Sequence, residues 1–337
     1  MSVINSVFAG GVQFPDVASL QASTFVENIL PVGNYAEIGV EVMPAINHKM
    51  QLGSTTALRN LLAESEGCNP TWTGDLATIA DRSIEVEPVG LNYKQCATKF
   101  EKTMYAQALQ TGVAKFDIRG TALEDVTKMV LTNTIELDAR QLFFFGDKSS
   151  SIASLKAIDG IFKRLTAELV GSFSGQLLTT PNLATAGNGV AAFDAVYNAQ
   201  SDPMFALPGQ QKRFLCTRTV WNAFLRDVKN ASSSDAAHAM LFRDPVTGIS
   251  EILGIPVIVM PEWDTTIRTL LTVSGVPTNP NRILLTSVNN LIVGTNLEGD
   301  MNTLVMDYDP RERENLISAE FSIGAQFRTK TNVVYSR

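Results

Sequence analysis

The stretch that most constrains the fold is a continuous helical pattern from Thr121 to Gly146. Thr121 and Glu124 form a capping box, in which the hydroxyl accepts a first-turn N–H and the carboxylate reaches back to the cap. Gly146 stands where a left-handed C-cap favours a residue without Cβ. The spacing predicts one amphipathic helix of about 36 Å. Its apolar stripe, which we expect to be buried, consists of Leu123, Val126, Val130, Leu137 and Phe144.

The composition is that of a globular chain with a weakly charged surface. With 337 residues the chain is too long for one ordinary hydrophobic core, so two lobes are expected. The net charge of −7 and the absence of a Lys/Arg run argue against a protein that reads nucleic acid. Residues 1–23 lack the pattern of a signal peptide, and the longest apolar runs, such as 252–260, are too short to span a bilayer.

The first ninety residues contain little that could form a core of its own. Residues 1–46 are short apolar clusters broken by glycine and proline, which favours an extended arm. Turn residues dominate from His48 to Gly90, and residues 83–89 alternate between apolar and polar, as in a strand with one wet face. Long irregular segments of this kind are more often binding loops than parts of a core. We therefore predict a projecting hairpin.

An α/β pattern follows the long helix. Gly160 lies between apolar residues and is interpreted as the start of a strand where the backbone passes close to a neighbour. A short helix is predicted before the long one, at residues 103–109, and two more follow it at 190–200 and 218–229. Strands are predicted at 213–217, 249–260, 281–293, 303–308 and 316–327, with an exposed turn at 294–300.

Two glycine-rich motifs resemble known sites without meeting their requirements. Gly187, Gly189 and Ala192 match a dinucleotide-binding fingerprint, but no strand precedes them and no acidic residue stands near position 210. Gly171 and Gly175 have the spacing of a nucleophile elbow, but the middle residue is Phe173. Neither motif predicts a cofactor or a nucleophile.

The titratable residues also form no recognisable site. His48 and His238 have no second histidine or cysteine at metal-ligand spacing. The chain has an odd number of cysteines, namely Cys68, Cys96 and Cys216. They are expected to be small buried residues in a reducing compartment. Four carboxylates near the end of the chain could suggest a calcium-binding loop; they are Asp307, Asp309, Glu312 and Glu314. The segment lacks the glycine that such a loop needs at its sharp turn, and its carboxylates alternate with arginines. This pattern favours a solvated or subunit-facing charge cluster. The sequence therefore predicts no catalytic, cofactor-binding or metal-binding residue, and no enzyme.

The order of the parts, with several local segments, resembles the major capsid protein of tailed bacteriophages, which has the Hong Kong 97-type fold. The parts are an arm, a projecting hairpin, a long helix, an α/β lobe and closing strands. The segments similar to this family are residues 142–147 with 158–161, 214–229, the L-G-x-P-V strand at 253–257, and 289–296. The resemblance implies an α+β fold whose long helix is the spine helix of a peripheral domain.

Transferred to this chain, the resemblance implies five regions. They are an N-terminal arm at 1–46, an extended hairpin loop at 47–96, a peripheral domain at 97–185 with the spine helix at 121–146, an axial domain at 186–304, and strands returning to the peripheral domain at 305–337. Many family members begin with a helical, charged scaffolding segment, and this chain has no helical period before Thr103. A separate scaffolding protein, or none, is therefore expected.

The implied function is structural. Pentamers and hexamers would assemble in the host cytoplasm into an icosahedral virion shell that encloses double-stranded DNA without sequence-specific binding and without a membrane. A portal protein, a separate scaffolding protein and a decoration protein are the implied partners. Two alternatives remain: an encapsulin-type shell, which shares the fold and holds protein cargo, and an α/β enzyme.

The loop also bears on how such a shell is held together. Some relatives join subunits by an isopeptide bond from a loop lysine to an asparagine of a neighbour, and this needs a neutral amine. Between Met50 and Tyr93 there is no lysine, and the loop's cations are Arg59 and Arg82. Since Lys49 and Lys94 stand at the base of the loop, we predict non-covalent contacts between subunits.

Overall fold

The computed structural model describes residues 35, 37–57, 77–96, 117–119, 122–230, 241–243, 250–296 and 302–337. Most of the predicted arm, the hairpin tip and the predicted helix at 103–109 lie outside these residues. The chain divides into two compact units. The first includes described residues of Gly90–Leu137 and Asp300–Phe321, and the second those of Val32–Val89, Asp138–Gly299 and Ser322–Arg337.

The observed elements give the mixed α+β class that the sequence predicts. The helices are α1 (Ala122–Phe145), α2 (Ile161–Glu168), α3 (Asn188–Asn198), α4 (Asp202–Phe205), α5 (Arg218–Asn230) and α6 (Pro261–Thr269). The first strands are β1 (Val40–Met43), β2 (Lys49–Ala57), β3 (Ala77–Glu85), β4 (Glu87–Cys96), β5 (Leu177–Leu178), β6 (Lys212–Cys216), β7 (Leu241–Arg243) and β8 (Ser250–Ile252). The remaining strands are β9 (Ile255–Val259), β10 (Thr272–Val273), β11 (Val276–Pro277), β12 (Ile283–Ser287), β13 (Leu291–Thr295), β14 (Asn302–Asp309), β15 (Glu314–Phe327) and β16 (Val333–Ser336).

The long helix α1 is confirmed, and its predicted buried stripe is confirmed only in part. Phe144 is buried as predicted, and the side chains of Leu123, Val126 and Val130 lie outside the described part of the chain. The helix has 24 residues, and the buried positions Ile135, Ala139 and Leu142 follow each other at helical spacing. Leu137 is 49% exposed, so its predicted burial is wrong. At 3.6 residues per turn, Leu137 lies about 200° around the helix from Ile135. Thr121 and its capping box lie outside the described residues.

Gly146 is required for a tertiary reason rather than as a left-handed cap. It is not among the described glycines with positive φ, so the predicted cap conformation is wrong. The Gly160 N–H donates to the Gly146 carbonyl at 2.8 Å, and a Cβ on Gly146 would lie 2.6 Å from the Ile158 oxygen. The predicted close approach at Gly160 is therefore confirmed. The predicted strand there is wrong, because α2 begins at Ile161 and buries its apolar positions at helical spacing.

The second unit contains a seven-stranded mixed sheet in the order β5-β16-β12-β6-β9-β8-β7. Strand β12 pairs antiparallel with β16 and β6, and β6 pairs parallel with β9. Residues of α3, α5 and these strands form one apolar core, which includes Phe193, Phe214 and Phe224. The predicted α/β pattern is confirmed here, whereas β16 is a strand that the sequence analysis does not predict.

An aromatic cluster in the second unit surrounds the end of α1. Phe143, Phe144 and Phe145 are 0–6% exposed. Phe144 contacts Trp263 of α6 with ring centroids 4.8 Å apart, and Phe162 of α2 stacks on Tyr335 of β16 at 5.0 Å. A helix end that is apolar all round is expected where several elements pack against it. The Phe–Phe–Phe sequence is therefore the point where α1, α2, α6 and β16 meet.

Two sets of strand pairs complete the units. In the first unit, β14 pairs antiparallel with β15 over residues 302–309 and 314–320. In the second unit, Ile323–Phe327 of β15 pair antiparallel with β13, and β1 pairs parallel with β13. Gly294 is a buried residue of β13, so the exposed turn predicted to begin there is wrong at this position.

Candidate assembly hairpin and its neighbouring chemistry

Within the predicted hairpin loop at 47–96, only β2 and β3 form the hairpin, and they pair antiparallel in continuous register from Lys49↔Glu85 to Ala57↔Ala77. Strand β4 falls within the predicted bounds but is not part of this two-stranded sheet. The tip of the hairpin, residues 58–76, lies outside the described part of the chain. Within that part, neither strand of this two-stranded sheet pairs with a further strand. Because an isolated two-stranded ribbon is only marginally stable in water, its position depends on contacts at its base.

The base of the hairpin is held by a small apolar cluster in the second unit. Ile84 and Val86 are 0% and 3% exposed, as the predicted alternation requires. They pack with Ile46, Leu52 and Ile292. Burial of each such side chain stabilises the folded state by about 1.5–3 kcal/mol. This base therefore has a core of its own, which the sequence indicates only through the alternation of residues 83–89.

Arg82 belongs to this base and is not a projecting loop cation. Its guanidinium donates to the Phe327 carbonyl at 2.9 Å, lies 4.1 Å from the centre of the Phe327 ring, and forms a short ion pair with Glu168. Glu168 also lies 3.6 Å from the Lys330 ammonium. Burial lowers the pKa of Arg82, and the Glu168 carboxylate opposes that shift. The sequence gives no signal for this pairing, because its partners are far apart in the chain.

The two lysines that flank the loop are both engaged in ion pairs. Lys49 pairs with Glu85 at 2.8 Å, at the end of the ribbon farthest from the tip, which confirms its place at the base. Lys94 in the first unit lies 2.7 Å from Glu312 and 3.2 Å from Glu314. Hydrogen bonds to these two carboxylates raise the pKa of Lys94. A raised pKa keeps the amine protonated, which is the opposite of what isopeptide formation requires.

We expect assembled particles to dissociate completely when boiled in detergent with a reductant. The protein should run as a single band near 36.6 kDa, because the loop lacks lysine and the flanking lysines are ion-paired ammonium groups. Denaturing gel electrophoresis makes this test directly. A ladder of dimers, pentamers and hexamers would show that another lysine forms covalent links.

The predicted charge cluster lies at the turn between β14 and β15. Its carboxylates interact with cations, since Lys94 pairs with Glu312 and Glu314, and Asp307 lies 3.8 Å from Arg119. Asp309 accepts the backbone N–H of Arg311 at 2.8 Å. No group of acidic, histidine or cysteine side chains suited to a metal occurs among the described residues. We therefore keep the interpretation of this turn as a solvated or subunit-facing charge cluster.

Among the other histidines and cysteines named in the sequence analysis, those that the structure describes show no reactive arrangement. His48 is exposed, and His238 and Cys68 lie outside the described residues. Cys216 is fully buried, as predicted, and burial raises the pKa of its thiol, which makes it unreactive. Cys96 is half-buried. In the described ranges, no helix is long and apolar enough to cross a membrane.

The dinucleotide-like glycines belong to a helix–helix contact. Gly187 precedes α3 with φ 85°, and the Gly189 N–H donates to the Asp227 carboxylate of α5 at 2.7 Å. A Cβ on Gly189 would lie 2.5 Å from the Phe224 nitrogen. A carboxylate therefore occupies the helix N-terminus where a phosphate would bind. The same arrangement recurs at α5, whose first N–H, that of Arg218, donates to Asp264 of α6 at 2.6 Å.

An Asp227→Asn variant is expected to lose about 1.5–3 kcal/mol of stability near neutral pH, the usual range for a hydrogen bond to a charged group. Burial raises the pKa of Asp227, but the N–H groups of Gly189 and Gly187 and the Arg226 guanidinium outweigh burial and lower it overall. The stabilisation is therefore complete above the unfolded-state pKa and is lost as pH falls through the lowered folded pKa. Urea unfolding between about pH 7 and about pH 3 measures this.

Asp194→Asn is the matched control, because Asp194 is an exposed carboxylate on α3. It should change stability by less than about 0.5 kcal/mol at any pH in this range. If the Asp227 and Asp194 variants lost stability equally and with the same pH dependence, the capping role of Asp227 would be contradicted.

The sequence matches no protein-family model and no curated protein. The structure is similar to a chain of the satellite phage P4 procapsid, with a TM-score of 0.59 and 12% identity over 99% of this chain and 95% of that one. It is similar to the capsid of the myovirus phage XM1, with a TM-score of 0.55 and 12% identity over 90% of both chains. The holo-SrpI encapsulin of Synechococcus elongatus PCC 7942 also matches, with a TM-score of 0.51 and 11% identity over 100% of this chain and 94% of that one. This chain therefore has the Hong Kong 97-type fold of capsid and encapsulin shell proteins.

Proposed function

We propose that this protein is a structural, non-enzymatic subunit of a closed icosahedral shell. The observation that carries the proposal is the shared fold over 99% of the chain with a phage procapsid chain. The hairpin supports it, since β2 and β3 are anchored at their base and pair with no further strand among the described residues. A subunit that tiles a closed surface needs such elements on its edges to contact its neighbours.

The more specific proposal is a phage major capsid protein. Two of the three matched structures described above are phage particles. The net charge of −7 suits a wall that encloses packed DNA without gripping it. Pentamers and hexamers, a virion location, a portal, a separate scaffolding protein and a decoration protein belong to this proposal. So do the five regions with boundaries at residues 46, 96, 185 and 304.

An encapsulin-type compartment is the second candidate. The encapsulin match has a TM-score of 0.51 and covers the whole of this chain. The two candidates differ in what the shell holds, which is DNA in one and protein in the other. No observation favours the α/β enzyme named above as the third hypothesis.

Sedimentation velocity of the purified chain tests the shell itself. The proposal predicts rings or particles far larger than the 36.6 kDa monomer, formed by the chain alone or with its scaffolding protein. A monomer at every concentration tested, with and without that partner, would contradict it. Nuclease treatment of particles from the producing cells then separates the two candidates, since only a DNA-filled capsid protects long double-stranded DNA.

A further inference from the structure

The chain contains a single Asn-Gly dipeptide, Asn188-Gly189, and it lies at the start of α3. Asparagine before glycine is prone to spontaneous deamidation, because a residue without Cβ leaves its backbone nitrogen unhindered. The glycine nitrogen attacks the side-chain carbon Cγ of the asparagine, a C–N bond forms, and the amide nitrogen leaves as ammonia with the backbone proton. Water then opens the succinimide at either carbonyl, which yields aspartate or isoaspartate.

The packing of α3 against α5 requires the glycine of this dipeptide. A Cβ at Gly189 would lie 2.5 Å from the Phe224 nitrogen and 2.7 Å from the Ala223 oxygen. Both atoms belong to the backbone of α5, which cannot give way as a flexible side chain would. A less reactive residue at position 189 would therefore push the two helices apart, and the fold keeps a labile dipeptide for a tertiary reason.

Hydrogen bonds hold both partners of the reaction in place. The Gly189 N–H donates to the Asp227 carboxylate at 2.7 Å, and the Asn188 side-chain amide donates to the Asn182 carbonyl at 2.7 Å. Asp227 is only 6% exposed. Attack on Cγ needs a rotation about the ψ angle of Asn188, which would break the bond to Asp227 and the first turn of α3. The folded contact therefore keeps the nucleophilic nitrogen away from its target.

The one Asp-Gly dipeptide of the chain, Asp159-Gly160, shows the same arrangement. The Gly160 N–H donates to the Gly146 carbonyl at 2.8 Å, and the Asp159 carboxylate lies 2.7 Å from the Lys163 ammonium. A Cβ at Gly160 would lie 2.6 Å from the Gly146 nitrogen. At both places a dipeptide that can form a succinimide stands where close packing demands glycine, and a tertiary hydrogen bond holds the glycine nitrogen.

We propose that Asn188 is a spontaneous modification site of this chain, and that Asp227 keeps it unreactive in the folded subunit. The product is aspartate or isoaspartate at position 188, and water is the only co-reactant. Conversion takes place when α3 separates locally from α5, so its rate measures how often that contact opens. The proposal does not depend on the shell function.

Peptide mass spectrometry of the purified subunit, incubated at mildly alkaline pH, measures the conversion of Asn188. The same chain unfolded in guanidinium chloride gives the unprotected rate, and the folded chain should react far more slowly. Asp227→Asn should raise the folded-state rate about tenfold or more, the factor that corresponds to a hydrogen bond to a charged group. Asp194→Asn, which changes an exposed carboxylate on the same helix, should leave the rate unchanged.

Urea at concentrations below the unfolding transition separates local from global opening. Local separation of α3 from α5 exposes little surface, so the rate of conversion of Asn188 should change only slightly with urea. Conversion through global unfolding would instead rise steeply, in proportion to the unfolded fraction. This measurement uses the unchanged chain, so the proposal stays testable if Asp227→Asn does not fold.

Three results would overturn the proposal. The first is an equal rate at Asn188 in the folded and the unfolded chain, which would show that the fold gives no protection. The second is a folded Asp227→Asn variant that reacts no faster than the unchanged chain, and the third is a steep rise of the rate with urea. Slow conversion in the folded chain, acceleration by Asp227→Asn alone and a shallow dependence on urea would together support it.

Discussion

Replacing Phe144 with alanine is expected to lower the free energy of unfolding of the subunit by about 3–5 kcal/mol. Phe144 is fully buried at the end of α1, and its ring contacts those of Phe143 and Trp263 at 4.8 Å and that of Phe162 at 5.7 Å. Truncation would leave a cavity where four aromatic rings meet. Urea unfolding of the unassembled subunit, followed by circular dichroism and by tryptophan fluorescence, measures the loss.

Leu137→Ala is the matched control on the same helix. Leu137 is 49% exposed, so its truncation should change the free energy of unfolding by less than about 0.5 kcal/mol. The regular apolar spacing of α1 alone predicts a comparable loss for both variants. Equal losses would therefore show that the exposed and buried sides of α1 are wrongly assigned.

Shortening the hairpin is expected to abolish shell formation without unfolding the subunit. Deleting residues 55–79 and joining Ser54 to Ala80 through Asn-Gly keeps the paired backbone, because these two residues face each other in the register and Asn-Gly suits a two-residue hairpin turn. The variant retains Leu52, Arg82 and Ile84, which hold the base. Its melting temperature should therefore stay close to that of the unchanged subunit, while sedimentation shows no particles.

A second variant separates the ribbon from its tip. Replacing residues 58–76 with the same Asn-Gly turn keeps the whole of β2 and β3. If this variant assembles and the shorter one does not, the paired strands make the contact. Shells of normal size from the shorter variant would contradict a role for the hairpin in assembly, and a large fall in its melting temperature would show that the ribbon belongs to the core.

The sequence predicts the elements of this fold well where the signal is local. The helical period of α1, the alternation at residues 83–89 and the short apolar strands around Phe214 and Ile283 can be recognised without tertiary information. The sequence is a poorer guide to why a particular residue is required at its position. Gly146 satisfies the rule for a helix cap, yet its place is fixed by the backbone at Ile158 and Gly160, which no local rule contains.

Burial and ion pairing are the properties that local patterns predict least. A stripe with a period of seven residues includes both Leu137 and Phe144, although Leu137 is 49% exposed and Phe144 is fully buried. The sequence alone suggests that Arg82 is a cation of the projecting loop, because its partner Glu168 lies 86 residues further along the chain. Asp227 is an ordinary helix residue in the sequence and becomes a cap only when α5 packs against α3. Such contacts follow from the tertiary fold.

Electron microscopy of particles formed by the purified chain, with its scaffolding protein where assembly needs one, shows whether this subunit builds a closed shell. We expect closed icosahedral shells whose subunit density contains the 24-residue helix α1 and the β2–β3 ribbon in contact with a neighbouring subunit. A uniform population of monomers or of small symmetric oligomers, with no closed shell under any assembly condition, would contradict it.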